Sequence, residues 1–320
     1  MKILRKGTGS KFKYTDAKGK AITDKDTLAY LDKLKTPPKY NNVAIFYPPN
    51  SHKLLYSGID QAGRQQCIYS PKWKTKAKKQ YFCDLAKFGQ MLPKINSELN
   101  KLLSNQKFSK NKQIALILRI VTLCHFRVGN ARYEKLYNSH GIATIQKKHI
   151  KMDSKNKSFH VEFIGKKAVR NYCMIESPSL YKIMSQLLST RKTTDYLFTY
   201  QEKGETRRIK AVHINKWLKK FDKSFSSKMF RTFSTNVLLL DRMKPQNPKG
   251  LTLPQRKKAV VQFMKEVSNL VHNTPCICKK DYANPDLVKL YLEKPRKWNN
   301  TFNDLSSRAG FTKFLLGKCK

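Results

Sequence analysis

Ser158-Phe159-His160-Val161-Glu162-Phe163-Ile164-Gly165-Lys166 alternates apolar and polar side chains, in a chain whose pattern from residue 80 onward is otherwise mostly helical. Asp153-Ser154-Lys155-Asn156-Lys157, just before it, is turn chemistry, and the two stretches together predict a β-hairpin carrying Lys166. On either side the period changes. Phe82, Leu85, Phe88, Leu92 and Ile95 recur near helical spacing, and Ile114-Ala115-Leu116-Ile117-Leu118-Arg119-Ile120-Val121 is too continuously apolar for an exposed helix, which places it in the core. The run from Pro245 to Gly250, with Pro248 inside it, and then Leu253-Pro254 predict a loop between helical stretches.

Residues 1–76 read differently. Short apolar runs such as Val43-Ala44-Ile45-Phe46-Tyr47 are separated by Pro37-Pro38, Pro48-Pro49-Asn50 and Ser57-Gly58, the signature of a turn-rich β module. Lys72-Trp73-Lys74-Thr75-Lys76-Ala77-Lys78-Lys79 reads as a linker opening into a helix, so the expected boundary is there. The expected fold class is α+β: a small β-rich N-terminal domain at 1–76 and a larger, mainly α-helical domain at 77–320 that holds the hairpin.

At 320 residues, 40% of them apolar, the chain can bury a substantial core. Its 66 Lys and Arg against 21 Asp and Glu leave a formal charge of +45, enough for self-repulsion to oppose compaction unless a polyanion relieves it. Nucleic acid is the expected partner, although part of the excess reads as an ordinary solvated lysine surface. Seven cysteines, an odd number with no C-x-x-C pair, suggest neither a disulfide framework nor a zinc finger, and Cys276-Ile277-Cys278 is an isolated C-x-C. No apolar run approaches the ~20 residues of a membrane span and no signal-peptide core opens the chain, so a soluble intracellular protein is expected.

Four stretches make chemical sense together around a phosphodiester: Phe126-Arg127-Val128-Gly129-Asn130, Phe163-Ile164-Gly165-Lys166-Lys167, Lys228-Met229-Phe230-Arg231-Thr232-Phe233, and Asn273-Thr274-Pro275 running on to Tyr282. Metal-free cleavage needs cations for the charge that builds on phosphorus and a proton for the departing 5′-oxygen. Arginine suits the first task because its planar guanidinium donates in a bidentate way and stays charged. Lysine suits the second, since neighbouring cations lower its pKa and let its ammonium release a proton. Tyrosine is an apt nucleophile for reversible cutting, because the aryl phosphodiester it forms retains the energy of the broken bond. At its ordinary pKa of ~10 only about one phenol per thousand is ionised at neutral pH, so activation requires clustered cations. Taken singly, each residue has a plainer reading: Tyr282 is one of 15 tyrosines, Arg127 and Arg231 could sit in ion pairs or at a core edge, and Lys166 could be a solvated hairpin lysine.

The ordered set resembles the small type IB DNA topoisomerases of the poxvirus, giant-virus and bacterial kind over nearly the full length. Phe126 to Asn130 through Tyr133, Asn138-Ser139-His140-Gly141-Ile142-Ala143-Thr144-Ile145 and His149 are similar to that family's first arginine motif. Gly58-Ile59-Asp60-Gln61-Ala62-Gly63-Arg64-Gln65-Gln66 through Tyr69 and Pro71-Lys72-Trp73 are similar to its DNA-gripping stretch. The resemblance implies that Arg127 and Arg231 clamp the non-bridging oxygens, Lys166 is the general acid and Tyr282 attacks to leave a 3′-phosphotyrosine. It implies a fifth residue nine positions before the tyrosine, which is Asn273 and precedes Thr274-Pro275, with His272 as the alternative. Arg64, Gln66, Tyr69, Tyr133 and Lys228 are the implied DNA contacts, although Cys67 stands where an aromatic is usual.

The implied enzyme relaxes supercoiled duplex DNA without ATP, metal or other cofactor, as a monomer closing like a clamp on DNA. If the source is viral, the expected location is the virion and the cytoplasmic or nuclear site of viral DNA replication. A tyrosine recombinase or integrase shares the chemistry, but its second arginine usually follows H-x-x-R, whereas Lys228 gives K-x-x-R here. A non-catalytic, histone-like DNA-binding protein would account for the charge alone. A metal-dependent nuclease or topoisomerase needs clustered carboxylates, and Asp24-Lys25-Asp26 has no supporting acidic neighbours.

Overall fold

The computed structural model describes residues 1–7 and 12–319, with the backbone alone at 132, 133 and 135. The chain divides into two compact units, Met1–Tyr81 and Phe82–Lys320. In the first, strands β1 (Lys2–Lys6), β2 (Lys13–Asp16), β3 (Asn41–Phe46), β4 (Leu54–Ile59) and β5 (Gln65–Tyr69) form one antiparallel sheet in the order β2-β1-β3-β4-β5. Alternation along β1 buries Ile3, which packs with Val43, Ile45, Tyr56 and Leu31. Leu31 comes from α1 (Lys25–Lys33), a helix the β-rich reading of the sequence does not foresee; Asp24 caps it by accepting from the Thr27 N–H at 2.8 Å. Buried Arg5 of β1 holds the loop between α1 and β3, donating to the carbonyls of Thr36, Pro37 and Tyr40.

Helix α2 (Pro71–Ser104) contains the division between the units, and Phe82, Leu85, Phe88, Leu92, Ile95 and Leu99 form its buried stripe. Beyond it lie α3 (Lys110–Cys124) and α4 (Ala131–Tyr137). As its composition requires, α3 runs through the core, with Ile114 to Leu118, Ile120 and Val121 buried. Strands β6 (Ile150–Asp153), β7 (Ser158–Ile164) and β8 (Arg170–Glu176) then pair antiparallel in the order β6-β7-β8. Residues 154–157 turn β6 into β7, and Gly165 to Val169, with Lys166 at the start of a tight turn, carry β7 into β8.

After α5 (Pro178–Ser189) comes a second hairpin, β9 (Thr199–Glu202) with β10 (Glu205–Arg208), so the hairpin at Lys166 is not the sole interruption of the helical pattern. These strands are polar and largely exposed, which leaves no apolar alternation to read. The rest is helical: α6 (Ala211–Leu218), α7 (Ser227–Met243), α8 (Leu253–Leu270), the short α9 (Pro275–Ile277), α10 (Pro285–Glu293), α11 (Pro295–Phe302) and α12 (Ser307–Leu316). Leu253-Pro254 opens α8 rather than belonging to the preceding loop, because proline is tolerated in a first helical turn, where its missing N–H is not needed. Helix α7 is the hub, packing on α3, α6, α8 and α12. No helix among the described residues is long and apolar enough to cross a membrane.

The cysteine count misleads. Two disulfides form, Cys83–Cys319 and Cys124–Cys173, leaving Cys67, Cys276 and Cys278 unpaired. Odd number and absent C-x-x-C spacing say nothing about partners 236 and 49 residues apart in sequence. Peptide mapping without reductant should recover these two pairs and no other. Reduction should lower unfolding stability by about 2–5 kcal/mol per bond; an unchanged denaturation midpoint on reduction would count against both bonds.

Candidate active site

The site is assembled around Arg231, which α7 carries into the interior with 2% of its surface exposed. Its Nη1 donates to the carbonyl of His125 and its Nη2 to that of Val271, with His272 O at 3.4 Å. These acceptors are the ends of two helices: α3 stops at Cys124 with His125 left-handed at φ 55°, and α8 stops at Leu270 with Val271 as its cap. Helix C-termini leave carbonyls unpaired and carry the negative end of the dipole, so a buried guanidinium satisfies both at once. Burial, and then repulsion from Arg127, lower the Arg231 pKa to about 10, against the pull of Tyr282.

Arg127 follows directly from the end of α3 through Phe126, a residue 1% exposed. Phe126 lies edge-on to Phe163 of β7, with ring centroids 4.9 Å apart, and 5.1 Å from the His272 ring. One buried aromatic thus touches the elements that carry Lys166 and Asn273. The Arg127 Nη2 donates to Asn273 Oδ1 at 2.5 Å, which leaves the amide Nδ2 of Asn273 buried and without a partner. His272 behaves differently: its ring packs on Phe126 and bonds to the backbone of Cys124, and burial together with the Arg231 charge lowers its pKa to about 4.

Tyr282 ends a single π-helical turn, Cys278–Tyr282, and is 7% exposed. Its backbone is held by Asn236, which is fully buried on α7: the Asn236 Nδ2 donates to Tyr282 O at 2.9 Å, and its Oδ1 accepts from the Asn284 N–H at 2.7 Å. The Arg231 Cζ sits 5.3 Å from the centre of the phenol ring and the Lys228 Nζ 5.8 Å from it. Burial by itself would raise the phenol pKa, but the charges of Arg231 and then Arg127, with hydrogen bonds from both, outweigh it and leave the pKa lowered. Neutral cysteine is favoured close by: burial pushes the Cys278 thiol up to about 11.

Arg127, Arg231, Asn273, Tyr282 and Lys228 are therefore brought together. Lys166 is placed apart from this contact network, at the exposed turn between β7 and β8, where the Gly165 N–H donates to Val169 O at 2.8 Å and Lys167 and Ala168 are left-handed. In the N-terminal unit, Asp60 organises two of the expected DNA contacts: its carboxylate accepts from Arg64 Nε and from Gln66 Nε2, both at 2.7 Å. Against a desolvation cost, these bonds and the Arg64 backbone N–H hold its pKa at about 2. Tyr69 stacks on Trp73, centroids 4.5 Å apart, with the Lys53 Nζ 4.3 Å from the centre of the Trp73 ring. The Tyr133 side chain lies outside the described residues.

Asn236 and Asp60 were not singled out from the sequence. A signal for the first existed: Asn236 interrupts the apolar face of α7 defined by Met229, Phe233 and Leu240, and a fully buried amide on such a face must have partners.

Comparison with known proteins adds to this geometry. The family model described as the catalytic core of eukaryotic DNA topoisomerase I matches residues 70–307, and that of the N-terminal domain of bacterial DNA topoisomerase IB matches residues 11–60. The DNA topoisomerase 1B of Acanthamoeba polyphaga mimivirus is 27% identical over 309 residues, covering 94% of this chain and 91% of that protein. DNA topoisomerase 1B of vaccinia virus (strain Copenhagen) is 23% identical over 311 residues, covering 93% of each. DNA topoisomerase 1 of Mycosarcoma maydis is 24% identical over 181 residues, 52% of this chain but 18% of that protein. With most of its length matched by the catalytic-core model, the chain belongs to the family of the eukaryotic DNA topoisomerase I catalytic core.

Proposed function

We propose that this chain is a type IB DNA topoisomerase, which relaxes supercoiled duplex DNA by cutting one strand, letting it swivel and resealing it. The observation that carries the reading is a buried guanidinium, Arg231, that pairs with no carboxylate among the described residues and faces a tyrosine whose pKa it lowers. A buried cation left this way is costly, and an anion beside it removes the cost. The phosphate of a DNA strand is such an anion. Two buried donors without partners, Arg231 Nε and Asn273 Nδ2, suit its non-bridging oxygens.

In this reading the Tyr282 oxygen attacks phosphorus, the bond from phosphorus to the 5′-oxygen breaks, and a 3′-phosphotyrosine forms. The phenolic proton passes to solvent water as the oxygen adds, and the leaving 5′-oxygen takes a proton from the Lys166 ammonium, whose exposed turn is open to an approaching duplex; resealing returns that proton to the lysine. Arg127 and Arg231 neutralise the charge growing on phosphorus. Asn273 is the fifth residue, supported by its bond to Arg127; His272 is engaged with Phe126 and the Cys124 backbone instead. The reverse attack by the 5′-hydroxyl reseals the strand with no external energy source.

Lys228, in place of the histidine of H-x-x-R, and the β-rich N-terminal unit favour relaxation over recombination. Arg64, Gln66, Tyr69, Tyr133 and Lys228 would hold the duplex, and a monomer closing both domains on it is the mode we favour, supported by cationic groups in both units. The cellular setting we favour is intracellular and, for a viral source, the virion and the site of viral DNA replication.

Supercoiled plasmid should be relaxed in EDTA without ATP. The Tyr282→Phe variant should bind DNA as the parent does yet trap no covalent adduct; adduct at parental levels would remove Tyr282 as nucleophile. Lys166→Ala should slow cleavage by about 10²–10⁴-fold on an ordinary strand. It should slow it far less on a strand whose 5′ leaving atom is sulfur, which departs without a proton, and equal losses on both would take the acid role from Lys166. Affinity should fall steeply with added salt as phosphate contacts release counterions, and a binding constant flat between 50 and 200 mM salt, a range in which several contacts cost roughly 10³-fold or more, would argue against the clamp.

A further inference from the structure

Between α4 and β6 the chain runs through Ser139-His140-Gly141-Ile142-Ala143-Thr144, a segment that bonds to two catalytic elements at once. On one side the Ile142 N–H donates to the Arg127 carbonyl at 2.9 Å and the Ala143 N–H to that of Val128 at 2.8 Å. On the other, the His140 N–H donates at 2.8 Å to the carbonyl of Ile164, two residues before Lys166. The two faces are separated by a single residue, Gly141.

That residue has no room for a side chain. A Cβ on Gly141 would lie 2.5 Å from both the nitrogen and the Cα of Gly129, and Gly129 itself is held at φ +86°. Backbones approach this closely only where both residues are glycine. The peptide groups of Gly141 are fixed from behind by Thr144, 3% exposed, whose Oγ1 accepts from the Gly141 N–H at 3.0 Å and donates to the Gly141 carbonyl at 3.1 Å. One hydroxyl uses donor and acceptor capacity together to set the path of the splint.

We propose that Gly141 and Thr144 are positioning residues, which hold the segment 139–144 as a splint that sets the Lys166 turn in register with Arg127; this rests on the acid role given to Lys166 above. Arg127 has its own anchors in α3 and Asn273. The Cys124–Cys173 disulfide ties the far part of the hairpin to α3, but the Lys166 turn itself is exposed, and near it the bond from His140 and the Phe126–Phe163 contact relate it to the arginine. A general acid must reach the leaving oxygen within hydrogen-bond distance, and misplacement by 1 Å costs on the order of 100-fold in rate.

The test compares Thr144→Val, Thr144→Ser and Gly141→Ala with the parent chain in single-turnover adduct formation, at the mapped cleavage phosphate, with a 5′-oxygen or a 5′-sulfur leaving atom. Thr144→Val and Gly141→Ala should each slow the oxygen substrate by roughly 10–100-fold, and the sulfur substrate several-fold at most, with DNA affinity unchanged. Thr144→Ser, which keeps the hydroxyl, should return to within a few-fold of the parent. Parental rates in both Thr144→Val and Gly141→Ala would overturn the splint, as would equal slowing on the two substrates. Lys166→Ala is run beside them. If it gains from sulfur while the splint variants do not, the splint alone fails; if it does not gain, the acid assignment fails with it.

Discussion

A charged guanidinium sealed inside protein is the constraint from which the rest of the catalytic unit follows. Arg231 is satisfied by main-chain carbonyls at the ends of α3 and α8, not by an acidic side chain. Had a carboxylate taken that place, the positive charge would be spent inside the protein and the adjacent phenol would stay near its ordinary acidity. Carbonyl dipoles stabilise the cation only in part, and the remaining field acts on Tyr282. The same bonds fix where α3 and α8 stop, and therefore where Arg127 and Asn273 begin. Chemistry and architecture share one group.

Around that charge the packing is apolar and interlocked. Phe126 lies between Phe163 and His272, so three segments distant in sequence meet on one ring. Behind α7, Phe88 meets Phe225 and Phe230 edge-on, with centroids 5.3 and 4.9 Å apart, which ties α2 to the helix bearing Arg231. Edge-to-face contacts of this kind fix ring orientation as well as burying area. The N-terminal unit repeats the device on a smaller scale, with Arg5 donating to the carbonyls of Thr36, Pro37 and Tyr40.

Much of this was legible in the sequence. The alternation in 158–164 and the unbroken apolar run at 114–121 correspond to β7 and α3, because burial on one face or on all sides leaves a periodic trace. The order of Arg127, Arg231, Asn273 and Tyr282 was visible as motifs, and the structure places these four side chains in one site. What stayed hidden has no local signature. The strands β9 and β10 are exposed and polar, disulfide partners are set by the tertiary fold, and α1 is a short helix with one acidic cap. Counting nine positions before Tyr282 gives Asn273, but the fold alone sets that its amide meets Arg127 while the His272 ring turns to Phe126.

Asn236 grips the main chain just after the Tyr282 side chain, at Tyr282 O and at the Asn284 N–H on either side of Ala283, and leaves the ring alone. A change at the phenol oxygen, which receives the hydrogen bonds of Arg231 and Arg127, therefore leaves these two main-chain bonds in place. Through Asn236 the backbone beside Tyr282 is fastened to α7, which packs on α3, α6, α8 and α12, so a load pulling on this segment passes into the interior of the unit and not onto the ring.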